Sequence, residues 1–253
     1  SAGVMFSAEV KAALLEHLPN AQILDFIAST ETAAGVSVAR AGNVPPTGRF
    51  TPYPGVILVD DDGAVVPPGA RVPGRLAVPG RFGGYRGDDA KTAAVTLEVD
   101  GAPYTLPGDV AVWEDDGTIS LLGRGSACIN TGGEKVFPEE VEEAAKRDPA
   151  VDDCLVFGVP DERFGQRVVA VVSMVGSDVG GSGPGGRPVD PASLVNGLLD
   201  RLRGELAAYK LPRAVVVLDR VPRTPSGKPD YAAARAELAR RTGAASMPSM
   251  QGG

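Results

Sequence analysis

Apolar residues recur at helical spacing from Ala8 to Leu18, and Pro19-Asn20 then breaks the pattern, which predicts a helix followed by a strand over 21–27. Between Gly35 and Gly123 the texture changes to short apolar runs closed by turn residues, as at Asp61-Asp62-Gly63 and Asp115-Asp116-Gly117. That spacing predicts antiparallel, barrel-like β structure. Beyond Gly123-Arg124 it changes again. A hairpin is expected across Gly132-Gly133, then a helix opened by Pro138 with Glu139 and Glu140 in its first turn, and strands over 151–157 and 168–175. A helix from Asp190-Pro191 to about Leu206, a strand over 214–218 and a closing helix from Asp230 or Tyr231 complete the pattern. The order ββαββαβα is that of an α+β sandwich. The expected fold class is therefore mixed α+β, with a β-rich region over 1–123 and a small α+β domain over 124–253.

Two segments carry no element. Residues 176–188 are rich in Gly and Pro but lack the Lys-Ser/Thr ending of a phosphate loop, so they read as a surface connection. The tail after Thr242 reads as frayed.

Charge and rare residues narrow the chemistry. With 25 Lys plus Arg against 32 Asp plus Glu, the net charge of -7 argues against a broad grip on nucleic acid or on anionic membrane. No apolar run is long enough to span a bilayer, and Ser1 to Met5 lacks the features of a signal peptide. Cys128 and Cys154 have no metal spacing and lie among apolar neighbours, which predicts buried, inert thiols and a cytoplasmic location. The single histidine, His17, leaves no His-based catalytic triad or zinc site and reads as an ordinary surface or cap residue. Lys135 and the glutamates 139, 140, 142 and 143 read as a solvated helix face.

The most specific segment is Pro222-Arg223-Thr224-Pro225-Ser226-Gly227-Lys228-Pro229. Neither helix nor strand continues through it, so Lys228 is presented on a turn, either as a plain surface residue or as a point charge suited to phosphate chemistry. This segment resembles the closing motif of the adenylate-forming acyl-CoA synthetases. Further segments resemble the same family in the same order: Ser29-Thr30-Glu31; Gly74-Arg75-Leu76 with Gly84-Tyr85 and Lys91-Thr92; Gly108-Asp109; and Gly123-Arg124 followed by the run from Ile129 to Glu142. The likeness covers nearly the whole chain. It corresponds to about the second half of such an enzyme, because the upstream Ser/Thr/Gly-rich loop and most of the acyl pocket have no counterpart, so the chain is expected to be a part of a longer ligase and inactive alone.

The resemblance implies a role for each matching position. Asp109 would accept hydrogen bonds from the ATP ribose, Arg124 would bind ribose or phosphate oxygen, and Thr30 would contact a phosphate. Glu31 would hold Mg²⁺. Lys228 would contact the acyl carboxylate and α-phosphate during adenylation. Ser126 is the expected hinge, where many members have Asp or Lys, and Gly132 and Gly133 would line the pantetheine channel. Tyr209, Lys210 and Arg213 could meet the CoA nucleotide. Outside the motif, Asp109 reads as a turn aspartate, Thr30-Glu31 as a helix cap with a first-turn acid, and Gly132-Gly133 as a plain hairpin. Ile27-Ala28 replaces the aromatic-Gly pair common in the family, which removes a stacking partner for adenine.

The function implied is ATP- and Mg²⁺-dependent: a carboxylic, fatty or lipid-like acid forms acyl-AMP, and CoA then takes the acyl group. An acyl-AMP ligase that loads a carrier protein is the alternative within the class, and a noncatalytic nucleotide- or partner-binding module is the alternative outside it. The implied partners are the acid, ATP, CoA and the amino-terminal half of the same enzyme.

Overall fold

The structure, a computed structural model, describes residues 6–175 and 191–242. The expectations for Ser1 to Met5, for 176–188 and for the tail after Thr242 lie outside the described residues. The chain divides into two compact units, Ser1–Ser126 and Ala127–Gly253.

The first unit opens with α1 (Ala8–His17), whose start is fixed by Ser7: its hydroxyl accepts the Val10 amide at 3.2 Å. Lys11 on this helix is 1% exposed, and its Nζ lies 3.0 Å from Asp25 on β1 (Gln22–Ala28). A hairpin then joins β1 to β2 (Ala33–Arg40). The remaining elements are β3 (Arg49–Pro52), β4 (Ile57–Val59), β5 (Val65–Val66), β6 (Gly74–Pro79), α2 (Asp89–Ala94), β7 (Thr96–Val99), β8 (Ala102–Thr105), β9 (Asp109–Trp113) and β10 (Ile119–Arg124). The short helix α2 interrupts what the turn spacing predicts as continuous β structure; Asp88 caps it by accepting the Lys91 amide.

The main ladder of the first unit runs β1-β2-β3-β10-β9-β6-β4-β5, with β8 added to β6 and β7 to β8. Its two ends, β1 and β5, are not joined to each other among the described residues, so the expected barrel is an open sheet. Ile27, Phe50, Leu58, Leu76, Ala111, Trp113 and Ile119 form its core. The Trp113 indole N–H is satisfied inside that core by the Val66 carbonyl at 3.2 Å.

The second unit contains β11 (Ile129–Thr131), β12 (Glu134–Val136), α3 (Pro138–Lys146), β13 (Val151–Asp161), β14 (Gly165–Met174), α4 (Pro191–Glu205), β15 (Ala214–Leu218) and α5 (Tyr231–Thr242). The ββαββαβα order is as the sequence predicts. Strand β13 is longer than its apolar run, because Gly158 and Pro160 stay in the ladder opposite Val168 and Gln166. Alternate residues of β13 and β14 feed two cores. Cys154, Val156, Val168 and Ala170 pack with Val141 of α3 and Leu198 and Leu202 of α4. Leu155, Phe157, Val169 and Val171 pack with Ala234 and Leu238 of α5. A sheet buried on both faces explains the unbroken apolar runs. No helix among the described residues is long and apolar enough to cross a membrane.

The glutamates of α3 do not form the solvated face that their charge suggests. Glu142 is buried, and its carboxylate accepts the Val156 amide at 2.8 Å on the outer edge of β13. Arg235 of α5 covers the same edge by donating to the Gly158 carbonyl at 3.1 Å. Edge groups without a strand partner are thus paired by side chains from two helices.

Candidate functional site

Five of the residues singled out by the sequence lie in the first unit: Thr30, Glu31, Asp109, Arg124 and, at its last position, Ser126. The β1–β2 turn is built by Ser29: its hydroxyl accepts the amides of Glu31 at 3.2 Å and Thr32 at 3.3 Å. Thr30 and Glu31 therefore sit on a hairpin turn, not at a helix cap, with Thr30 exposed and Glu31 half-buried. The Ser29 hydrogen bond, then that of the Tyr85 hydroxyl, holds the Glu31 carboxyl below the usual range, and the Arg124 charge adds to this. Glu31 is therefore anionic. Lys91 stands over the Tyr85 ring at 4.2 Å, and Phe82 packs edge-on to it with centroids 5.0 Å apart.

Asp109 opens β9 and Arg124 closes β10, and the two face each other in the antiparallel register. Arg124 Nε lies 3.6 Å from Asp109 Oδ1, with the arginine exposed and the aspartate buried. Burial pushes the Asp109 carboxyl up; Arg124 opposes this and the Glu31 charge reinforces it. Glu31, Asp109 and Arg124 are thus close enough to act on one another electrostatically, with Tyr85 attached to the first. Two carboxylates and one exposed guanidinium meeting at a turn can receive hydroxyl donors and anionic oxygens together. Ile27 is 4% exposed and points into the core, so its side chain does not contribute to this cluster.

The chemistry of the donor set bears on Mg²⁺. Among the described residues no group of three or more His, Cys, Asp or Glu could hold a metal. One anionic carboxylate is nevertheless a normal protein contribution to Mg²⁺, which takes most of its ligands from water and substrate phosphate. Glu31 fits that role.

In the second unit Lys228 is exposed on a tight turn. The Gly227 amide donates to the Thr224 carbonyl at 2.8 Å, the Thr224 amide to the Lys228 carbonyl at 2.8 Å, and the Lys228 amide to the Thr224 hydroxyl at 3.2 Å. Pro225 fixes the first corner residue, and Gly227 takes φ +81°, a conformation that other residues adopt only with strain. Two residues without an assigned role shape this turn: Arg223, at its foot, and Asp153, distant in sequence on β13.

Gly132 and Gly133 join β11 to β12 with φ +60° and +89°. A side chain at Gly132 would also meet the Phe164 ring at 3.3 Å. Arg213 is exposed, 6.0 Å from the centre of that ring. Tyr209 is exposed too, whereas Lys210 is already bound by both Glu140 oxygens, at 2.6 and 2.7 Å. Ser126 is exposed in the 3₁₀ turn Gly125–Ala127, where the two units meet along the chain. Cys154 is fully buried and its thiol is pushed up by burial, whereas Cys128 is only half-buried.

Sequence reasoning did not assign Tyr85, although Gly84-Tyr85 is part of a quoted motif. Glu142 and Asp153 were beyond its reach: nothing in a run of surface-like acids marks the one that turns inward.

A profile of the AMP-binding enzyme C-terminal domain family matches residues 140–228. The chain is 46% identical over 234 residues to a medium/long-chain-fatty-acid–CoA/3-oxocholest-4-en-26-oate–CoA ligase of Mycobacterium tuberculosis, covering 91% of this chain and 40% of that protein. It is 43% identical over 236 residues to the 3-oxocholest-4-en-26-oate–CoA ligase of Rhodococcus rhodochrous, with the same coverage of 91% and 40%. Among solved structures, ATP-bound MatB from Rhodopseudomonas palustris superposes with a TM-score of 0.71 at 27% identity, covering 94% of this chain and 44% of that one. The chain spans about 40% of the length of these curated relatives.

Proposed function

The chain belongs to the adenylate-forming acyl-CoA synthetase family, matching the carboxyl-terminal part of such enzymes, and on that premise we propose that it serves an ATP-dependent acid–thiol ligase. The reaction has two steps. A carboxylate oxygen attacks the α-phosphorus of ATP and pyrophosphate leaves, giving acyl-AMP; the CoA thiol then attacks the acyl carbon, loses its proton and displaces AMP. The acid proposed is a medium or long fatty acid or a similarly apolar carboxylate, by analogy with what the relatives act on.

The observation that carries this reading is the junction of Glu31, Asp109 and Arg124 in one unit. Asp109, buried and on a rigid strand, accepts the two ribose hydroxyls, and Arg124 beside it binds ribose or phosphate oxygen. The Thr30 hydroxyl donates to a phosphate oxygen. Glu31, anionic and held by Ser29 and Tyr85, would hold Mg²⁺, which when bound neutralises charge on the triphosphate. Lys228 supplies a cation where negative charge gathers as the carboxylate attacks. The Ser126 hinge, the Gly132-Gly133 hairpin as wall of the pantetheine channel, and Tyr209, Lys210 and Arg213 as contacts for the CoA nucleotide complete the proposal. The small second unit is taken as mobile about that hinge. Of the last three, Arg213 and Tyr209 are favoured, because Lys210 would have to leave Glu140.

The test is a chimera in which this chain replaces the matching part of the Mycobacterium tuberculosis ligase. Fatty-acid-dependent exchange of pyrophosphate into ATP, together with acyl-CoA formation, is expected. Exchange without transfer to CoA, but with transfer to a carrier protein, would replace the CoA reading by the carrier-loading one.

A further inference from the structure

The Lys228 turn is not held by its own hydrogen bonds alone. The Asp230 amide donates to the Pro222 carbonyl at 3.2 Å and the Thr224 amide to the Lys228 carbonyl at 2.8 Å, so Arg223 and Pro229 face each other as the two feet of the turn. From one foot the Arg223 guanidinium reaches in two directions. Its Nε and Nη2 donate to Asp153 at 2.7 and 2.8 Å, a two-pronged contact, and its Nη1 donates to the Gly227 carbonyl at 3.3 Å.

Asp153 is itself immobilised. The Lys146 ammonium of α3 lies 3.3 Å from Oδ1, and the Cys154 amide donates to the same oxygen at 2.8 Å. Burial pushes the Asp153 carboxyl up, but the Arg223 hydrogen bonds and the Lys146 and Arg223 charges outweigh it, so the carboxyl ends below its usual range. Both Arg223 and Asp153 side chains are 23% exposed, which limits solvent screening of the pair. The guanidinium thereby connects the outer edge of a sheet with two helical cores to the carbonyl that immediately precedes Lys228. A lysine could hold Asp153 but could not reach Gly227 with a second, fixed donor, since only the planar fork presents both at once.

We propose that Arg223 is a positioning residue for Lys228, clamping the lysine turn to Asp153 of β13 so that the ammonium is presented in one place during adenylation. This rests on the role proposed above for Lys228, but the clamp itself can be measured without it. A cation misplaced by about 1 Å forfeits much of its effect on a transition state, so a loosened turn should slow the step that uses Lys228 and no other.

The first measurement uses the chain as it is. Amide hydrogen exchange in Arg223→Lys and in Asp153→Asn should quicken about tenfold or more at Gly227 and Lys228. Leu155 and Val171 in the sheet should stay within about twofold of the unsubstituted chain. Unchanged exchange at Gly227 and Lys228 in both variants, or equal acceleration in turn and sheet, overturns the proposal. Should one variant fail to fold, the other decides. In the ligase chimera, Arg223→Lys should lower kcat for adenylation about tenfold with KM for ATP nearly unchanged, and should leave thioester formation from supplied acyl-AMP and CoA intact. Equal loss in both half-reactions overturns the positioning role. A chimera inactive before any substitution counts against the proposed ligase function, while the exchange measurement still decides the clamp.

Discussion

Arg124 faces Asp109 across the β9–β10 ladder with Nε 3.6 Å from Oδ1, an exposed guanidinium beside a buried carboxylate. The separation is too long for a direct hydrogen bond, so both groups keep capacity for a ligand. Two hydroxyl donors to Asp109 would stabilise the anion that burial disfavours.

Asp109→Ala should weaken ATP binding by the ligase chimera by about 10- to 100-fold, the range for a hydrogen bond to a charged group. Titration calorimetry with ATP and with 2′,3′-dideoxy-ATP checks it. The unsubstituted protein should discriminate between the two nucleotides and the variant should not. A variant that still favours ATP would remove Asp109 from the ribose.

Glu142 makes stability depend on pH in a direction unusual for an acid. Burial raises its carboxyl from 4.5 to about 7, against the opposing Val156 amide and Lys146 charge. Glu139, Arg223, Asp153, Tyr231 and Cys154 share its surroundings. Between those two values the folded state keeps a proton that the unfolded chain has released, so the stabilisation is complete below about pH 4.5 and is lost as pH rises through 7. The 2.5-unit difference corresponds to about 3 kcal/mol as an upper bound. Glu142→Gln keeps an acceptor for Val156 and cannot ionise. The melting temperature of Glu142→Gln relative to the unsubstituted chain should therefore rise from pH 5 to pH 8; a constant difference would mean that Glu142 is not protonated in the fold.

Much of the fold follows from local pattern, because both cores of the second unit depend on strict alternation along β13 and β14. The run Cys154-Leu155-Val156-Phe157 sends successive side chains to opposite faces, and Pro138 and Ser7 mark helix starts by chemistry that acts within one turn of chain. The acid that turns inward is another matter. Glu139, Glu140, Glu142 and Glu143 are equivalent in composition, and what distinguishes Glu142 is the Val156 amide on the neighbouring strand, which has no strand partner and donates to it. In the same way Arg223 can be read from its motif, whereas Asp153 is coupled to it over 70 residues, with nothing local to announce the pair. At Thr30-Glu31 the alternative of a helix cap is excluded, because the two residues form the turn of the hairpin between β1 and β2.

Lys11 and Asp25 form an ion pair almost without solvent, with side chains 1% and 5% exposed and 3.0 Å between Nζ and Oδ2. Removing one partner leaves a buried, uncompensated charge. Lys11→Met alone should destabilise the first unit by roughly 3–5 kcal/mol, whereas Lys11→Met with Asp25→Leu should recover most of that loss, since an apolar pair of similar size avoids both desolvation costs. Urea denaturation of the single and double variants checks it. A double variant as unstable as the sum of the singles would show that the pair does more than neutralise itself.

Lys228 offers the sharpest separation of steps. During adenylation negative charge accumulates where the carboxylate attacks the α-phosphorus, so a cation held there stabilises the transition state more than the bound substrates. The exposed ammonium on a turn fixed by Thr224, Gly227 and Arg223 has the required chemistry and order. In the ligase chimera, Lys228→Ala should lower adenylation by on the order of 10² or more. Thioester formation has its chemistry at the acyl carbon instead. The thiol attacks there and loses its proton, charge builds on the carbonyl oxygen and on the departing phosphate oxygen of AMP, and no bond to the α-phosphorus is made or broken. A movement about Ser126 that replaces the lysine turn by the Gly132-Gly133 hairpin would take Lys228 away before the thiol attacks. Supplying preformed acyl-AMP and CoA isolates that second step, and Lys228→Ala should run it at nearly the normal rate. Equal impairment of both half-reactions would mean that Lys228 supports the nucleotide or the fold throughout, and the alternation of the two units about Ser126 would have no remaining support from this residue.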